Sequence, residues 1–169
     1  PFLRKDLTDI ICAFDSKIVH IPTNGSLIPQ MLKSLKSLKE QTDREIIIGL
    51  SLDGLQETHD KIRKVPGSFD QVWEAYDALR DLGGIFIKVI TVINRNNFNE
   101  ILPLMEQVHA KGVDFHSVIL LRGETMDPTM SLPTLIELRD IGPKISSILR
   151  RYDYGKSAFS ARILRNFHS

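Results

Sequence analysis

The feature that most constrains the fold is a regular alternation between two apolar patterns along the chain. Stretches with apolar residues every three or four positions, the spacing of an amphipathic helix, alternate with short runs that are apolar throughout. The runs that predict strands are "KIVHIPTNG", "EIIIGLSL", "IFIKVITVI" and "FHSVILL". Each run follows a helical stretch, so the predicted order is α-β-α-β-α-β-α-β-α.

The helical stretches carry apolar stripes, and glycines close several of them. They are "LRKDLTDIICAF", "IPQMLKSLKSLKE", "FDQVWEAYDALRDLGG", "NEILPLMEQVHAKG" and "SLPTLIELRDIGPKISSILRRY". Pro103 lies near the start of its stretch, so a helix is still expected there. Gly142 and Pro143 lie in the middle of the last stretch, where a proline removes a backbone hydrogen bond, and we expect them to break that helix.

Strands that are apolar on both faces are typical of a parallel sheet that helices cover. Right-handed crossovers then leave two architectures open, a doubly wound sheet or part of a β/α barrel. Both architectures place ligands at the carboxyl ends of the strands. The predicted fold class is therefore α/β, and functional residues are expected where the strands end.

The bulk composition excludes several classes of protein. The 169 residues favour one domain, and the net charge of +1 argues neither for nor against nucleic acid. No apolar run approaches the roughly 20 residues that span a bilayer, and no secretory signal is visible. The single cysteine, Cys12, excludes an internal disulfide, so a reducing cytoplasm is the default compartment. The start "PFLRKDL", without methionine, indicates a segment of a longer protein.

Small polar residues follow all four predicted strands. The carboxyl ends carry "TNG", "SLDG", "TVINRNN" and "LLRG". Together they predict a rim of hydroxyls, amides, a carboxylate and arginines, which suits a polar small molecule that itself bears hydroxyls and a carboxylate. Asn-Gly and Asp-Gly pairs also form ordinary turns, and that reading stays open for any single strand end.

The stretch "SLDGLQETHDKIR", Ser51 to Arg63, is the densest of these ends. Ser51 and Asp53 are two positions apart, so they share one face of the strand end. Arg63 follows a short helix-like turn and could return to the rim, where its guanidinium would grip a carboxylate with two parallel hydrogen bonds. The alternative is an ion pair between Arg63 and either Asp53 or Asp60.

The other polar residues of this region favour structural roles. No second histidine lies at ligand spacing from His59, so we expect His59 and Asp60 to cap the turn and not to bind a metal. We expect Ser68, in "PGSFD", to be the N-cap of the next helix.

Four stretches of the chain resemble the radical S-adenosylmethionine (SAM) core domain. They are "PFLRKDL", "TNGSL", "SLDGLQETHDKIRKVPGSFDQV" and "TVINRNN". The resemblance covers nearly the whole segment and is strongest from Pro1 to Asn97; Pro1 corresponds to the last residue of the family's "GGEP" motif. It is closest to the branch of peptide-modifying and sulfatase-maturing enzymes.

The resemblance implies a partial (β/α)6 barrel of the TIM-like kind, with this segment supplying mainly parallel strands three to six and their helices. It implies one core-domain fragment over 1–169, in which about 1–125 form barrel strands and helices and about 126–169 a C-terminal helical part. It also implies cofactor-binding residues. Ser51 and Arg63 would hold the methionyl carboxylate of SAM, and Thr23 and Asn24 would lie near the sulfonium and ribose.

Three further positions correspond to the family's cofactor site. Asp53 would organise the turn after its strand and reach towards the ribose or substrate. Asn94 or Asn97 would lie beside the nucleoside, and the backbone of Leu120 or Leu121 would contact adenine. The resemblance assigns no catalytic residue in this segment.

The implied activity depends on two cofactors, SAM and a [4Fe–4S] cluster. After an electron donor such as flavodoxin or ferredoxin has supplied an electron, cleavage of SAM gives a 5′-deoxyadenosyl radical. That radical abstracts hydrogen from a substrate, and a peptide or protein substrate is the one that the resemblance suggests. The family's CxxxCxxC loop is absent from the sequence, so the cluster ligands are expected outside this segment. The segment alone is therefore expected to be inactive, and no membrane or clear nucleic-acid partner is expected.

The residues themselves also allow two other functions. One is a sugar- or phosphate-handling β/α-barrel enzyme, although no Gly-rich phosphate loop is present. The other is a degenerate, non-catalytic module that binds a nucleoside.

Overall fold

The computed structural model describes residues 1–123, 125, 127 and 129–152, and within them four strands form one sheet. The strands are β1 (Ile18–Thr23), β2 (Glu45–Ser51), β3 (Phe86–Ile93) and β4 (Phe115–Leu120). They lie in the order β1-β2-β3-β4, and every neighbouring pair is parallel. The predicted α/β class with parallel strands is confirmed.

Helices precede or follow each strand along the described chain. They are α1 (Leu7–Ala13), α2 (Ile28–Gln41), α3 (Gln56–Arg63), α4 (Ser68–Leu82), α5 (Ile101–Ala110), which a short 3-10 turn (Phe98–Glu100) precedes, and α6 (Leu135–Arg151). The helix-like turn expected before Arg63 is the two-turn helix α3. The predicted C-terminal part contributes α6, and residues 153–169 lie outside the described residues. Among the described helices, none is both long enough and apolar enough to cross a membrane.

The two faces of the sheet have different surroundings. Ile48 and Leu50 of β2 lie in the main core with residues of the helices. Ile47 lies in a separate apolar cluster with residues of the other strands. Successive side chains of a strand point to opposite faces, so Gly49 and Ser51 share the face of Ile47. We name these the helix face and the open face of the sheet; the second name means only that its apolar cluster contains no residue of a described helix.

Apolar residues from two pairs of helices fix the helix face. Helices α2 and α4 supply the fully buried Met31, Leu35, Leu38, Val72, Ala75 and Leu79. Helices α5 and α6 join the end of β3 through Ile93, Ile101, Met105, Ile141 and Ile148. Burying one such large aliphatic side chain stabilises a fold by about 1.5–3 kcal/mol. This core holds the strands in register and leaves their carboxyl ends free to carry polar groups.

Asp60 joins helices α3 and α4. Its carboxylate accepts hydrogen bonds from the amides of Gly67 (2.6 Å) and Phe69 (2.8 Å) and from the hydroxyl of Ser68 (2.9 Å). The amide of Phe69, followed by Gly67 and Ser68, lowers the pKa of Asp60. The prediction that Ser68 is the N-cap is wrong, because Gly67 occupies that position and Ser68 is the first residue of the helix. The carboxylate of Asp60, from the preceding helix, satisfies the amide of Phe69, which an N-cap side chain would otherwise bind.

Helix α6 is continuous from Leu135 to Arg151, so the predicted break at Gly142 and Pro143 is wrong. Proline disfavours a helical conformation in the residue before it partly through contact with that residue's Cβ, which Gly142 lacks. The burial of Ile141 and Ile148 favours one uninterrupted helix.

A buried pair of polar side chains connects β3 and β4 with Leu52, the residue directly after β2. Thr91 and His116 are almost fully buried, and the Thr91 hydroxyl lies 2.8 Å from Nε2 of His116. The same hydroxyl donates to the carbonyl of Leu52, 2.6 Å away, so it can only accept from His116. His116 therefore carries its proton on Nε2, and burial lowers its pKa to about 4.

The turn after β1 requires a glycine both for its positive φ and for its close contact with α4. Alanine variants of Gly25 and Gly67 separate these two effects. Gly25 has a φ of +79°, and a Cβ there would lie 3.1 Å from Ala75 Cβ and 3.2 Å from Gln71 O of α4. Gly67 has a φ of +78°, but a Cβ there would have no atom within 4 Å. We expect Gly67→Ala to lower the free energy of unfolding by about 1–2 kcal/mol, the cost of the left-handed conformation.

Gly25→Ala should cost about 1–3 kcal/mol more, because the added methyl also overpacks the contact with α4. Denaturant unfolding of both variants measures the difference. Equal losses would show that contact with α4 does not constrain this turn.

The lowered pKa of His116 predicts a loss of stability in mild acid. In the unfolded chain His116 has an ordinary pKa of about 6.5, whereas in the folded chain its pKa is about 4. Stability is therefore complete above pH 6.5 and falls as the pH drops below it, by about 2 kcal/mol between pH 7 and pH 5 from this residue. Denaturant unfolding of the wild type and of His116→Leu across this range measures it. Identical slopes for the two proteins would contradict the assignment.

Candidate functional site

A cleft of about 370 Å³ lies at the carboxyl ends of β1 and β2. Its lining includes four of the predicted residues, Thr23, Asn24, Ser51 and Arg63. The remaining lining residues are Pro1, Phe2, Leu3, Pro22, Ser26 and Leu27. The structure therefore brings together the hydroxyls, the amide and the guanidinium that the sequence places on separate elements.

The part of the cleft wall that follows β1 is a tight polar turn. Oδ1 of Asn24 accepts hydrogen bonds from the amide (3.2 Å) and the hydroxyl (2.9 Å) of Ser26. The hydroxyl of Thr23 accepts one from the amide of Gly25 at 3.3 Å. These bonds fix the two side chains at the rim, and the NH2 group of Asn24 has no protein acceptor among the described residues.

Ser51 is the last residue of β2 and lies half-buried on the open face. Within the described part of the chain its hydroxyl has no hydrogen-bond partner. A half-buried hydroxyl at a strand end that faces a cleft can donate a hydrogen bond to a ligand there.

Arg63, at the end of α3, pairs with the carboxylate of Asp53. Its Nη2 lies 2.6 Å from Oδ2, and the Asp53 side chain is only 6% exposed. Of the two alternatives considered for Arg63, the pair with Asp53 is therefore present. Nε of Arg63 is buried and has no hydrogen-bond partner among the described residues. The guanidinium is thus held at one end by Asp53 and retains donors for a second anion.

Every polar group of Asp53 has a partner. Its Oδ1 accepts from the amide of Val92 (3.0 Å), and its own amide donates to Nδ1 of His59 (3.0 Å). Its carbonyl accepts from Nδ2 of Asn97 at 2.6 Å. The turn after β2 is therefore fixed to the end of β3 as well as to α3.

His59 also belongs to this network, although the sequence predicted only a capping role for it. It is 1% exposed, and because its Nδ1 accepts from Asp53, its proton is on Nε2. Burial, followed by the charge of Arg63, lowers its pKa. A neutral imidazole is needed here, since protonation of Nδ1 would remove the acceptor for the Asp53 amide.

Glu100 is a second supporting residue, and sequence reasoning did not find it. Its carboxylate accepts from the amide of Leu55 (2.9 Å) and from the hydroxyl of Thr58 (2.7 Å), and so binds the first turn of α3. A Cβ on Gly54 would lie 2.8 Å from Cγ2 of Thr58. No local signal predicts this contact, because more than forty positions separate its partners along the chain.

The cleft does not include the remaining predicted residues. Asn94 is fully buried, with Nδ2 on the carbonyl of Val92 (3.2 Å) and Oδ1 accepting from the amide of Asn96 (2.9 Å). Asn97 is also fully buried. Leu120 ends β4, two strands away from Ser51, and is 44% exposed. A cofactor-binding role for these residues stays a prediction.

No cluster of three or more metal-ligating side chains occurs in the part of the chain that the structure describes. Cys12 lies half-buried on α1 and packs beside the main core. The described side chains therefore do not fit an iron–sulfur cluster, whose ligands are several thiolates.

Comparison with known structures supports the fold. The structures titled "Native anSMEcpe with bound AdoMet" and "Native anSMEcpe with bound AdoMet and Cp18Cys peptide" match with TM-scores of 0.51 and 0.50 and identities of 20% and 19%. Each match covers 66% of this chain and 31% of the other, so the chain spans about a third of the length of those proteins. At this identity the likeness shows a shared fold and nothing more.

A family model identifies the chain more directly. No curated protein matches the sequence. The family model described as "Radical SAM superfamily" matches residues 1–108, which include α1 to α4, the first three strands and most of α5. Enzymes of this family use SAM and a [4Fe–4S] cluster. The chain belongs to the radical SAM superfamily.

Proposed function

We propose that this chain forms part of a radical SAM enzyme and that its cleft binds SAM, with Ser51 and Arg63 on the methionyl carboxylate. The observation that supports this most is the guanidinium of Arg63 at the cleft, held by Asp53 and with a buried Nε that has no partner among the described residues. A carboxylate is the anion that such a planar donor set binds best.

The dimensions and chemistry of the cleft suit the amino-acid part of SAM. Its volume of about 370 Å³ lies at the lower end of the range for small-molecule sites. The hydroxyl of Ser51 would donate the second hydrogen bond to the carboxylate. Thr23 and Asn24 would contact the sulfonium and ribose, with the NH2 of Asn24 available as a donor. We also propose that the substrate is a peptide or protein.

When bound, SAM together with the family's cluster would supply radical chemistry for hydrogen abstraction from the substrate. The residues of this chain orient and hold the carboxylate end. Asp53 keeps the guanidinium in position, and neutral His59 keeps Asp53 in position. We propose that the cluster ligands lie outside these 169 residues, which contain a single cysteine, and that a donor such as flavodoxin or ferredoxin supplies the electron.

The direct test of the function uses the full-length protein purified without oxygen. We expect it to be brown from its cluster and to form 5′-deoxyadenosine from SAM under a strong reductant. A colourless protein that leaves SAM intact would contradict the proposal.

Arg63→Ala should weaken SAM binding by about 1.5–3 kcal/mol, the scale of a charged hydrogen bond, as measured by calorimetry on the full-length protein. It should also lower the melting temperature, because Asp53 is left buried without its cation. Arg63→Lys keeps a cation near Asp53 but lacks Nε, so it should recover stability more than affinity. Lys61→Ala removes an exposed cation from the same helix and should change neither. A lowered melting temperature with unchanged affinity would leave Arg63 a structural role only.

Ser51→Ala should weaken SAM binding by about 1 kcal/mol, because one neutral donor is lost and no hydrogen bond within the described protein is broken. Ser117→Ala is the matched control, since Ser117 is half-buried on the open face of β4, two strands from Ser51. If the two variants bind SAM equally well, Ser51 does not contact the cofactor.

A further inference from the structure

The open face of the sheet carries a second polar site, next to the cleft but separate from it. In the parallel register Gly49 pairs with Lys88, and Lys88 pairs with Phe115. Gly49 lies two residues before Ser51, which is about 7 Å along a strand. Lys88 therefore lies one layer of side chains below the hydroxyl that faces the cleft.

A histidine lies across the same layer. If Gly49 had a Cβ, it would lie 2.7 Å from Nε2 of His20 and 2.7 Å from Cδ1 of Ile90. The imidazole of His20 therefore rests over the bare backbone of β2, between β1 and Lys88. Only glycine leaves room for it there.

Among the described residues, Nζ of Lys88 has no salt bridge with a carboxylate. Its Nζ lies 5.6 Å from the ring centre of Phe115, a cation–π contact. Burial alone lowers the pKa of Lys88, so no carboxylate of the described residues offsets that effect. Burial and then the charge of Lys88 lower the pKa of His20. Glu45 lies on the same face but four residues before Gly49, at the amino end of β2.

We infer that Lys88 and His20 form a binding position for a carboxylate group of the substrate, one layer below the cofactor cleft. A half-buried ammonium without an anion is unfavourable, and a carboxylate bound between Lys88 and the exposed His20 would satisfy it. With His20 neutral near pH 7, the site carries one positive charge, which matches a carboxylate better than a phosphate dianion. The assignment of this anion to the substrate rests on the proposed function.

The test uses acetate as the probe and the full-length protein. Saturation transfer to the acetate methyl protons is followed by NMR while acetate replaces chloride at constant ionic strength, so that general screening does not change. Acetamide is the neutral control, and inorganic phosphate is the competitor. We expect saturable binding of acetate and none of acetamide.

Variants of Lys88 assign the binding to this site. Lys88→Met should weaken acetate binding at least about fivefold, and Lys88→Arg should retain it within about twofold, because the charge is kept. Lys36→Met, which removes an exposed lysine of α2, should match the wild type. His20→Gln is a second variant for the case in which Lys88→Met does not fold, and it too should weaken binding.

Several outcomes would overturn the inference: no saturable acetate binding, equal binding by Lys88→Met and the wild type, or displacement of acetate by phosphate at much lower concentration. SAM affinity is measured on the same wild-type sample. SAM binding without acetate binding would overturn this site and leave the proposed function standing. Acetate binding that depends on Lys88, without SAM binding, would support the anion site and overturn the proposed function.

Discussion

The arrangement of the cleft depends on one buried carboxylate, that of Asp53. A carboxylate that is 6% exposed is stable only when hydrogen bonds and a cation replace the water it has lost. Arg63 supplies the cation and Val92 supplies an amide, and each comes from a different element. The ion pair therefore fixes where α3 ends relative to β2 and β3. The same ion pair places a guanidinium at the mouth of the cleft.

Structural and ligand-binding roles of Arg63 are compatible because a guanidinium has five N–H donors. Asp53 uses one edge of the group, while the buried Nε has no acceptor among the described residues. An arginine already held in place loses little side-chain freedom when it binds a second anion. His59 and Asn97 extend this preorganisation to the backbone of Asp53, so the whole turn is constrained before a ligand arrives.

The sequence predicted the features that depend on local pattern. Alternating periodicities were enough for the four parallel strands. The resemblance to the radical SAM core domain was what joined Ser51 to Arg63, and both side chains line the cleft. Contacts between distant segments were not predictable in this way. Glu100 binds the first turn of α3 from more than forty positions away, and no sequence pattern near either partner predicts this contact.

Two local rules also failed because tertiary structure overrode them. Ser68 has the chemistry of an N-cap, but Gly67 takes that position, and the carboxylate of Asp60 in the preceding helix binds the amides of Gly67 and Phe69. Pro143 has the chemistry of a helix breaker, but Gly142 removes part of the steric conflict and buried isoleucines on either side favour a continuous α6. For Ser68 the deciding group, Asp60, lies outside the motif that suggested the rule; for Pro143 it is the neighbouring glycine of the same motif together with the buried Ile141 and Ile148.

The most direct test of the central claim is a crystal structure of the full-length protein with SAM bound. We predict that the methionyl carboxylate lies about 3 Å from both the guanidinium of Arg63 and the hydroxyl of Ser51, with the Asp53 ion pair intact. A methionyl carboxylate bound elsewhere, with Arg63 still contacting Asp53 alone, would contradict it.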